Sequence, residues 1–214
     1  MKRLVFSSPK GGVGKGMIAR NLAVAAVRDN LQVATADLDP QASLTIWSRR
    51  RPATVPSIPH YRVSWDDADA LLDDSDLAAY EAIFIDTPPS IETQPRAFAK
   101  LLSSASLVIV PCRPTFDDAE SAAPFLKHLR EQGTPVVVVM NFVKPRVNTN
   151  AVKSYLLEHG QICPIEIADR TDYARAGAKG LGLADIPNHV GAEEVKGVWR
   201  FVKSQIWRQR RVAA

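Results

Sequence analysis

The residues best suited to chemistry lie in a glycine-rich stretch at 7–17, with the sequence SSPKGGVGKGM. Three apolar residues, LVF, precede it, and apolar residues at helical spacing follow it. Glycines let backbone amides surround an anion, and the start of the following helix adds the positive end of its dipole. Lys15 has the position from which a loop lysine reaches the outer phosphates of a nucleotide. The stretch therefore predicts a phosphate-binding loop.

This stretch departs from the common pattern G-x-x-x-x-G-K-[ST] in three places. Pro9 replaces the first glycine, Lys10 is an additional lysine, and Gly16 replaces the serine or threonine. That hydroxyl normally binds Mg²⁺ directly. Because water can take the vacant ligand position, we expect the loop still to hold a nucleotide. We also expect Gly16 to slow hydrolysis and to weaken its dependence on Mg²⁺.

Aspartates follow two later apolar segments. Asp37 and Asp39 come after the second predicted strand, and Asp86 ends a later one. Carboxylates at strand ends either serve a metal and an attacking water or favour the local turn, here before Pro40. Together with a phosphate loop, Asp86 is expected to contribute to a magnesium shell.

The order of the predicted elements indicates the fold. Strands are unbroken apolar runs that alternate with helices, which is typical of a mostly parallel twisted sheet with helices on both faces. We predict an α/β fold in one domain spanning 1–214. The predicted strands are 3–8, 33–37, 61–63, 82–85, 107–110, 136–140 and 162–167. The predicted helices are 15–29, 43–50, 66–72, 92–103, 117–132, 150–159, 171–179 and 192–207.

Composition excludes several classes of protein. The 214 residues are 46% hydrophobic and 23% charged, as in a globular domain with a full core. The sequence contains no apolar run long enough to span a membrane and no signal peptide, so we expect no membrane partner. The two cysteines lack metal-site spacing and are expected to stay reduced in a cytosol. A net charge of +4 permits a nucleic-acid partner without requiring one.

Three motifs together resemble the ParA/MinD group of deviant-Walker ATPases. They are PKGGVGK at 9–15, DLDPQ at 37–41 and FIDTPP at 84–89, in matching order and spacing. The segments 39–48 and 169–180 are similar to small ParA-type partition proteins that lack an N-terminal helix-turn-helix domain. The resemblance implies a P-loop NTPase fold and the cofactors ATP/ADP and Mg²⁺.

The resemblance also implies roles for individual residues. Lys10 would reach the nucleotide of the partner subunit, Asp39 would position the attacking water, and Asn141 would read the adenine edge. Asp37 and Asp86 would hold Mg²⁺ through water. The residues that would cradle the nucleotide are Lys10, Gly11, Gly12, Val13, Gly14, Lys15, Gly16 and Met17, with Lys10, Lys15 and Asp39 as the catalytic set.

Such proteins form an ATP-dependent homodimer that binds DNA without sequence preference. The resemblance further implies a ParB-type centromere-binding stimulator protein, segregation of plasmid or chromosomal DNA, and a cytoplasmic, nucleoid-associated location. Since the sequence begins at its phosphate loop, we expect no helix-turn-helix domain and a DNA contact made by the domain's own basic surface.

The last predicted helix carries the basic residues considered for DNA. Lys196, Arg200 and Lys203 share one face, and an apolar face lies opposite; Arg208, Arg210 and Arg211 follow. Three interpretations stay open: a docked helix with a solvated basic face, a DNA contact, and a MinD-like membrane anchor that uses apolar residues such as Trp199, Phe201, Ile206 and Trp207.

Two further features leave the function open at this stage. Gly16 also fits a hydrolysis-deficient, nucleotide-dependent regulator or scaffold. The basic run at 49–51 is interpreted as a solvated loop, although its place after Asp39 allows it to report nucleotide state. The four histidines lack metal or triad spacing and are expected to be surface or packing residues.

Overall fold

A computed structural model describes residues 1–89 and 94–207. The strands are β1 (Lys2–Phe6), β2 (Val33–Asp37), β3 (His60–Arg62), β4 (Ala82–Asp86), β5 (Leu107–Cys112), β6 (Val136–Met140) and β7 (Gln161–Ile162). The helices are α1 (Lys15–Arg28), α2 (Ser43–Arg49), α3 (Ala68–Asp73), α4 (Pro95–Ser104), α5 (Phe116–Glu131), α6 (Asn150–Leu157), α7 (Thr171–Ala178) and α8 (Val190–Ile206). Short 3-10 helices occupy Ser75–Ala79 and Leu183–Asp185.

The seven strands of the described residues form one parallel sheet in the order β3-β2-β4-β1-β5-β6-β7. Strand β4 lies between β1 and β2, and its register places Asp86 beside Asp37 on one side and beside Phe6 on the other. Strands β2, β3 and β4 lie on one side of β1, and the later strands β5, β6 and β7 lie on the other side. The carboxyl ends of the strands at such a switch in strand order form the usual ligand crevice of an open α/β sheet.

Helices cover both faces of the sheet. In β1, Leu4 and Phe6 join the core beneath α1 and α8, whereas Val5 joins the core beneath α4 and α5. This alternation follows from the two-residue repeat of a strand. The predicted α/β fold, a mostly parallel sheet with helices on both faces, is confirmed.

The predicted strand at 162–167 is wrong in extent. Pro164 lies within it and has no N–H to donate to the ladder. Only Gln161–Ile162 is a strand. The chain still follows β6, because the Cys163 N–H donates to the Val138 carbonyl at 2.8 Å and the Ile167 N–H to Met140 at 2.9 Å.

The helix boundaries also differ from the prediction, mostly by one or two residues. The predicted start of a helix at 92 lies outside the described residues, and α4 begins at Pro95, a residue suited to a first turn. The last helix begins two residues early, at Val190, because the His189 side chain accepts the N–H of Gly191. Among the described residues, no helix is both long and apolar enough to cross a bilayer.

Candidate functional site

The phosphate-loop residues connect β1 to α1 at the carboxyl edge of the sheet. Gly12 and Gly14 have φ angles of +70° and +94°, a region that favours glycine. A Cβ on Gly14 would also lie 2.2 Å from Nδ2 of Asn141. Helix α1 starts directly after this turn and is 14 residues long, so the loop lies at a helix N-terminus, where the first backbone N–H groups have no acceptor within the helix. Local geometry thus favours an anion here.

The other predicted loop residues differ in exposure. Gly11 is exposed, Val13 is buried, and Met17 packs against the core beneath α1. Asn141 is fully buried and donates from Nδ2 to the Val13 carbonyl at 2.7 Å. This contact holds the loop in place. That Asn141 reads an adenine edge stays a prediction.

Lys15 is the buried cation of the loop. Its Nζ donates to the Lys10 carbonyl at 3.4 Å. Burial lowers the pKa of Lys15, while Asp86 and then Asp39 raise it. Both carboxylates are therefore within electrostatic reach of the ammonium, as a catalytic lysine beside a metal shell requires.

Asp37 holds the turn that follows β2. It is fully buried; its Oδ1 accepts the Asp39 N–H at 3.0 Å, and its Oδ2 accepts both the Thr45 N–H and the Thr45 hydroxyl, at 2.8 and 2.9 Å. The Thr45 oxygen also contacts Nε2 of His60 at 2.9 Å. Both oxygens of Asp37 are thus engaged in positioning Asp39 and the start of α2.

Asp39 itself is half-buried after that turn. Its Oδ1 accepts the Gln41 N–H at 2.9 Å, and Ala42 next to it has a φ of +53°. Asp39 influences the pKa of both Lys15 and Asp86. The sequence-predicted Lys15, Asp39 and Asp86 are therefore brought together.

Asp86 is the carboxylate without a full set of partners. It is 3% exposed, and its Oδ1 has no hydrogen-bond partner among residues 1–89 and 94–207. Burial raises its pKa to about 8; Asp37 and Asp39 also raise it, and Lys15 opposes them. A buried, unpartnered carboxylate oxygen beside a phosphate loop fits a hard divalent cation such as Mg²⁺.

Gly16 lies directly against the carboxylate of Asp86. An ideal Cβ on Gly16 would lie 2.6 Å from Oδ2 of Asp86. The carboxylate therefore occupies the space that a threonine side chain would take. Gly16 itself offers no side-chain oxygen to a metal.

Lys10 lies against α5. Its Nζ is 2.8 Å from Oδ1 of Asp118, and Arg113 Nε is 4.0 Å from Oδ2 of the same carboxylate. Arg113 also donates to the Gly12 carbonyl and lies over the Phe142 ring, 5.9 Å from its centroid. The sequence did not predict a role at this site for Asp118, Arg113 or Phe142. Arg113 directly follows β5 at the same edge of the sheet.

The α8 residues predicted to bind DNA differ in their surroundings. Lys196 Nζ lies 2.8 Å from Glu193 Oε1, and Lys203 Nζ lies 2.7 Å from Oδ2 of Asp29. Arg200 is exposed. Carboxylates thus partly neutralise this face, and its role with DNA stays a prediction. Arg208, Arg210 and Arg211 lie outside the described residues.

The apolar face of α8 is docked. Its inward residues pack on α1 and the sheet, and the Trp199 ring lies 5.9 Å from Phe84. Trp199 also donates from Nε1 to Asp29 at 2.9 Å. The buried residues of α8 include Ala192, Val195, Val198, Trp199, Val202 and Ile206.

The run at 49–51 is only partly the solvated loop that was predicted. Arg49 and Arg50 are exposed. The Arg51 side chain is 5% exposed and pairs with Oδ2 of Asp185 at 2.8 Å. Arg51 therefore belongs to a buried ion pair, which a run of three arginines does not reveal.

Comparisons with known proteins agree with this geometry. Residues 4–183 match the family described as CobQ/CobB/MinD/ParA nucleotide binding domain. "Protein ParA" of Rhizobium radiobacter is 26% identical over 187 residues, which cover 81% of each chain. A putative plasmid partition protein from Borrelia burgdorferi B31 bound to AMPPNP superposes with a TM-score of 0.72 at 20% identity, covering 95% of this chain and 99% of that one. MinD from Pyrococcus horikoshii OT3, complexed with Mg-ADP, superposes with a TM-score of 0.74 at 15% identity, covering 99% of each.

Proposed function

Because the chain belongs to the CobQ/CobB/MinD/ParA nucleotide binding domain family, we propose that it binds ATP or ADP with Mg²⁺ and hydrolyses ATP. The observation that carries this proposal is the loop between β1 and α1. Two left-handed glycines precede the helix, and buried Lys15 is within electrostatic reach of Asp86 and Asp39. The AMPPNP and Mg-ADP named for the two solved relatives support the choice of cofactors.

The loop residues and the three aspartates have separate roles in this proposal. The backbone of 10–17 surrounds the phosphates, and Lys15 places its ammonium on the outer ones. Bound Mg²⁺ neutralises charge that develops on the transferred phosphoryl group. Asp86 is the carboxylate free to face the metal shell. Asp37 fixes the turn from which Asp39 orients the attacking water.

The proposal also includes a dimer in which Lys10 takes part. In the single chain its ammonium is engaged by Asp118 at 2.8 Å. We propose that ATP-dependent pairing of two chains releases Lys10, which then reaches the nucleotide of the partner subunit. The Lys10 side chain is 39% exposed, but that of Asp118 is only 9% exposed, so the release leaves a mostly buried carboxylate, which then has Arg113 Nε at 4.0 Å.

The biological role in this proposal is DNA partition. The dimer binds DNA without sequence preference, a ParB-type partner stimulates hydrolysis, and the cargo is plasmid or chromosomal DNA in the cytoplasm. The relatives named as ParA and as a plasmid partition protein support this role. The docked apolar face of α8 favours it over a membrane-positioning role.

A second candidate is a nucleotide-dependent regulator that does not hydrolyse ATP. Gly16 favours it, since the loop lacks the hydroxyl that normally binds the metal. Turnover separates the two: steady phosphate release that a mutation of Lys15 abolishes identifies an ATPase. Tight nucleotide binding without phosphate release identifies the regulator.

The dimer is tested by sedimentation with ADP and with a non-hydrolysable ATP analogue. We expect a dimer with the analogue alone, and we expect Lys10→Ala to prevent it. Lys127→Ala is the matched control, since Lys127 is an exposed lysine on α5 that pairs with Glu131 of the same helix. A monomer under all conditions, or a dimer insensitive to Lys10, contradicts the proposal.

A further inference from the structure

The carboxyl end of α2 lies directly on the segment that follows α7. Gly180 has a φ of +70°, and a Cβ on it would lie 2.3 Å from the Arg50 carbonyl carbon. The Arg51 guanidinium donates to the Gly180 carbonyl at 3.2 Å, and Trp47 Nε1 donates to the Leu181 carbonyl at 3.2 Å. The two helix ends are thus clamped together, which brings Arg50 and Lys179 to one surface.

This surface has an excess of positive charge. Arg49, Arg50 and Lys179 are exposed, and none of them has a carboxylate partner within the described ranges 1–89 and 94–207. The carboxylate in the same clamp, Asp185, is already shared by two guanidiniums, since Arg28 lies 3.0 Å and Arg51 2.8 Å from its oxygens. On α8, by contrast, two of the three predicted DNA contacts face carboxylates at 2.7 and 2.8 Å.

We propose that Arg49, Arg50 and Lys179, the α2–α7 basic patch, bind the phosphate backbone of duplex DNA. This inference rests on the proposed function, from which DNA is taken as the partner, and it places the contact on a surface other than α8. Long cationic side chains bind phosphates without reading sequence. The aromatic residue in the clamp, Trp47, is 1% exposed, so it offers no platform for stacking unpaired bases.

The patch is also attached to the nucleotide site. Helix α2 begins four residues after Asp39, and its first turn is tied to Asp37 through the N–H and hydroxyl of Thr45. The patch stands at the other end of this seven-residue helix. A phosphate-binding surface there is connected through α2 to the turn after β2, whereas α8 packs on α1 and the sheet.

The test compares two triple variants, each of which removes three positive charges. One is Arg49→Gln/Arg50→Gln/Lys179→Gln, and the other is Lys196→Gln/Arg200→Gln/Lys203→Gln. Affinity for a labelled random-sequence duplex is measured by fluorescence anisotropy with Mg²⁺ and a non-hydrolysable ATP analogue, over a series of salt concentrations. Affinity for a fluorescent ATP analogue is measured in parallel.

We expect the patch variant to bind DNA at least about tenfold more weakly, with a salt slope lower by about two to three, because each lost phosphate contact removes about 0.9 from the slope. The α8 variant should stay within about twofold of the parent. Lys179→Gln alone should lower affinity about two- to threefold. Equal binding by the patch variant, a larger loss in the α8 variant, or a loss of nucleotide affinity along with DNA affinity overturns the inference.

Two arms of the experiment distinguish a failure of this inference from a failure of the proposed function. If the parent binds no DNA in any nucleotide state, the DNA part of the proposed function fails. If the parent binds DNA and the patch variant binds it equally well, only the inference fails. A third arm uses polyglutamate: if the patch variant loses polyglutamate binding and keeps DNA binding, the surface fits an acidic protein and the inference is overturned.

Discussion

Asp37 and Asp86 are register partners on neighbouring strands, yet they differ in what surrounds them. Asp37 receives three hydrogen bonds, from Asp39 and twice from Thr45. Asp86 keeps an oxygen without a partner among the described residues and has a pKa raised to about 8. Asp37 therefore holds the next turn, and Asp86 has an oxygen without such a partner; that either carboxylate holds Mg²⁺ stays a prediction.

The difference comes from residues distant in sequence. Thr45 approaches Asp37 because α2 starts over the end of β2, whereas Asp86 faces the bare Cα of Gly16. Identical residue types at paired strand positions therefore have different hydrogen-bond surroundings. Substitutions at the two aspartates and at their neighbours test whether Asp37 and Asp86 have different roles.

The largest effect is expected at Asp37. Replacing it with Ala leaves the Thr45 and Asp39 donors buried without an acceptor, which we expect to lower the free energy of unfolding by about 3 kcal/mol. Urea unfolding measures this loss of stability. Asp37→Asn should lose less, because the amide oxygen keeps one acceptor. An unchanged stability in both variants would show that Asp37 is no anchor.

Asp86 should behave in the opposite way. Its folded pKa lies above the unfolded value, so its contribution to stability falls as pH rises from about 4 to about 8. Asp86→Asn therefore should raise the stability of the metal-free protein at pH 8, on the order of 2 kcal/mol. The same variant should lose the Mg²⁺ dependence of nucleotide binding. A destabilised variant that keeps Mg²⁺ dependence contradicts the division of roles.

Gly16→Thr tests the partner of Asp86. The new side chain must displace the Asp86 carboxylate, which can rotate, and it supplies the missing hydroxyl ligand. We expect ATP turnover to rise about tenfold, equivalent to about 1.4 kcal/mol of barrier. Gly16→Ala is the control, since it displaces the carboxylate without adding a ligand. Equal turnover in the parent and Gly16→Thr removes the argument that Gly16 slows hydrolysis.

The smallest effect concerns His60, which extends the Asp37 network. Its Nδ1 contacts the Thr35 hydroxyl at 3.0 Å and its Nε2 the Thr45 oxygen. Burial lowers the pKa of His60; Asp37 opposes this, and Arg62 and Arg49 add to it. Its stabilising contribution is thus present above about pH 6.5 and lost as pH falls through the lowered pKa. Melting temperatures of His60→Gln should fall less between pH 7 and 5 than those of the parent; a parallel fall refutes the assignment.

Much of the fold follows from local sequence. The apolar runs at 33–37 and 136–140 coincide with β2 and β6, and the glycine loop, Lys15 and Asp86 meet at one sheet edge as their strand-end positions require. Pro164 also carried a readable signal, since a proline disfavours a continuous strand. These features depend on neighbours in the chain.

The remaining features depend on contacts between distant segments. Nothing near Asp118 in sequence indicates Lys10 as its partner, 108 residues away. The burial of Arg51 depends on Asp185, 134 residues away, and the approach of Asp86 to Gly16 depends on how β4 pairs with β1. Periodicity and composition carry no information on such pairs.

The most direct test is the anomalous diffraction of Mn²⁺ in crystals grown with Mn²⁺ and a non-hydrolysable ATP analogue. Mn²⁺ takes oxygen ligands as Mg²⁺ does. The account predicts nucleotide density along 10–17 and one Mn²⁺ peak that lies nearer to Asp86 than to Asp37, with the three hydrogen bonds to Asp37 retained. A peak on Asp37, or a loop without nucleotide, would contradict it.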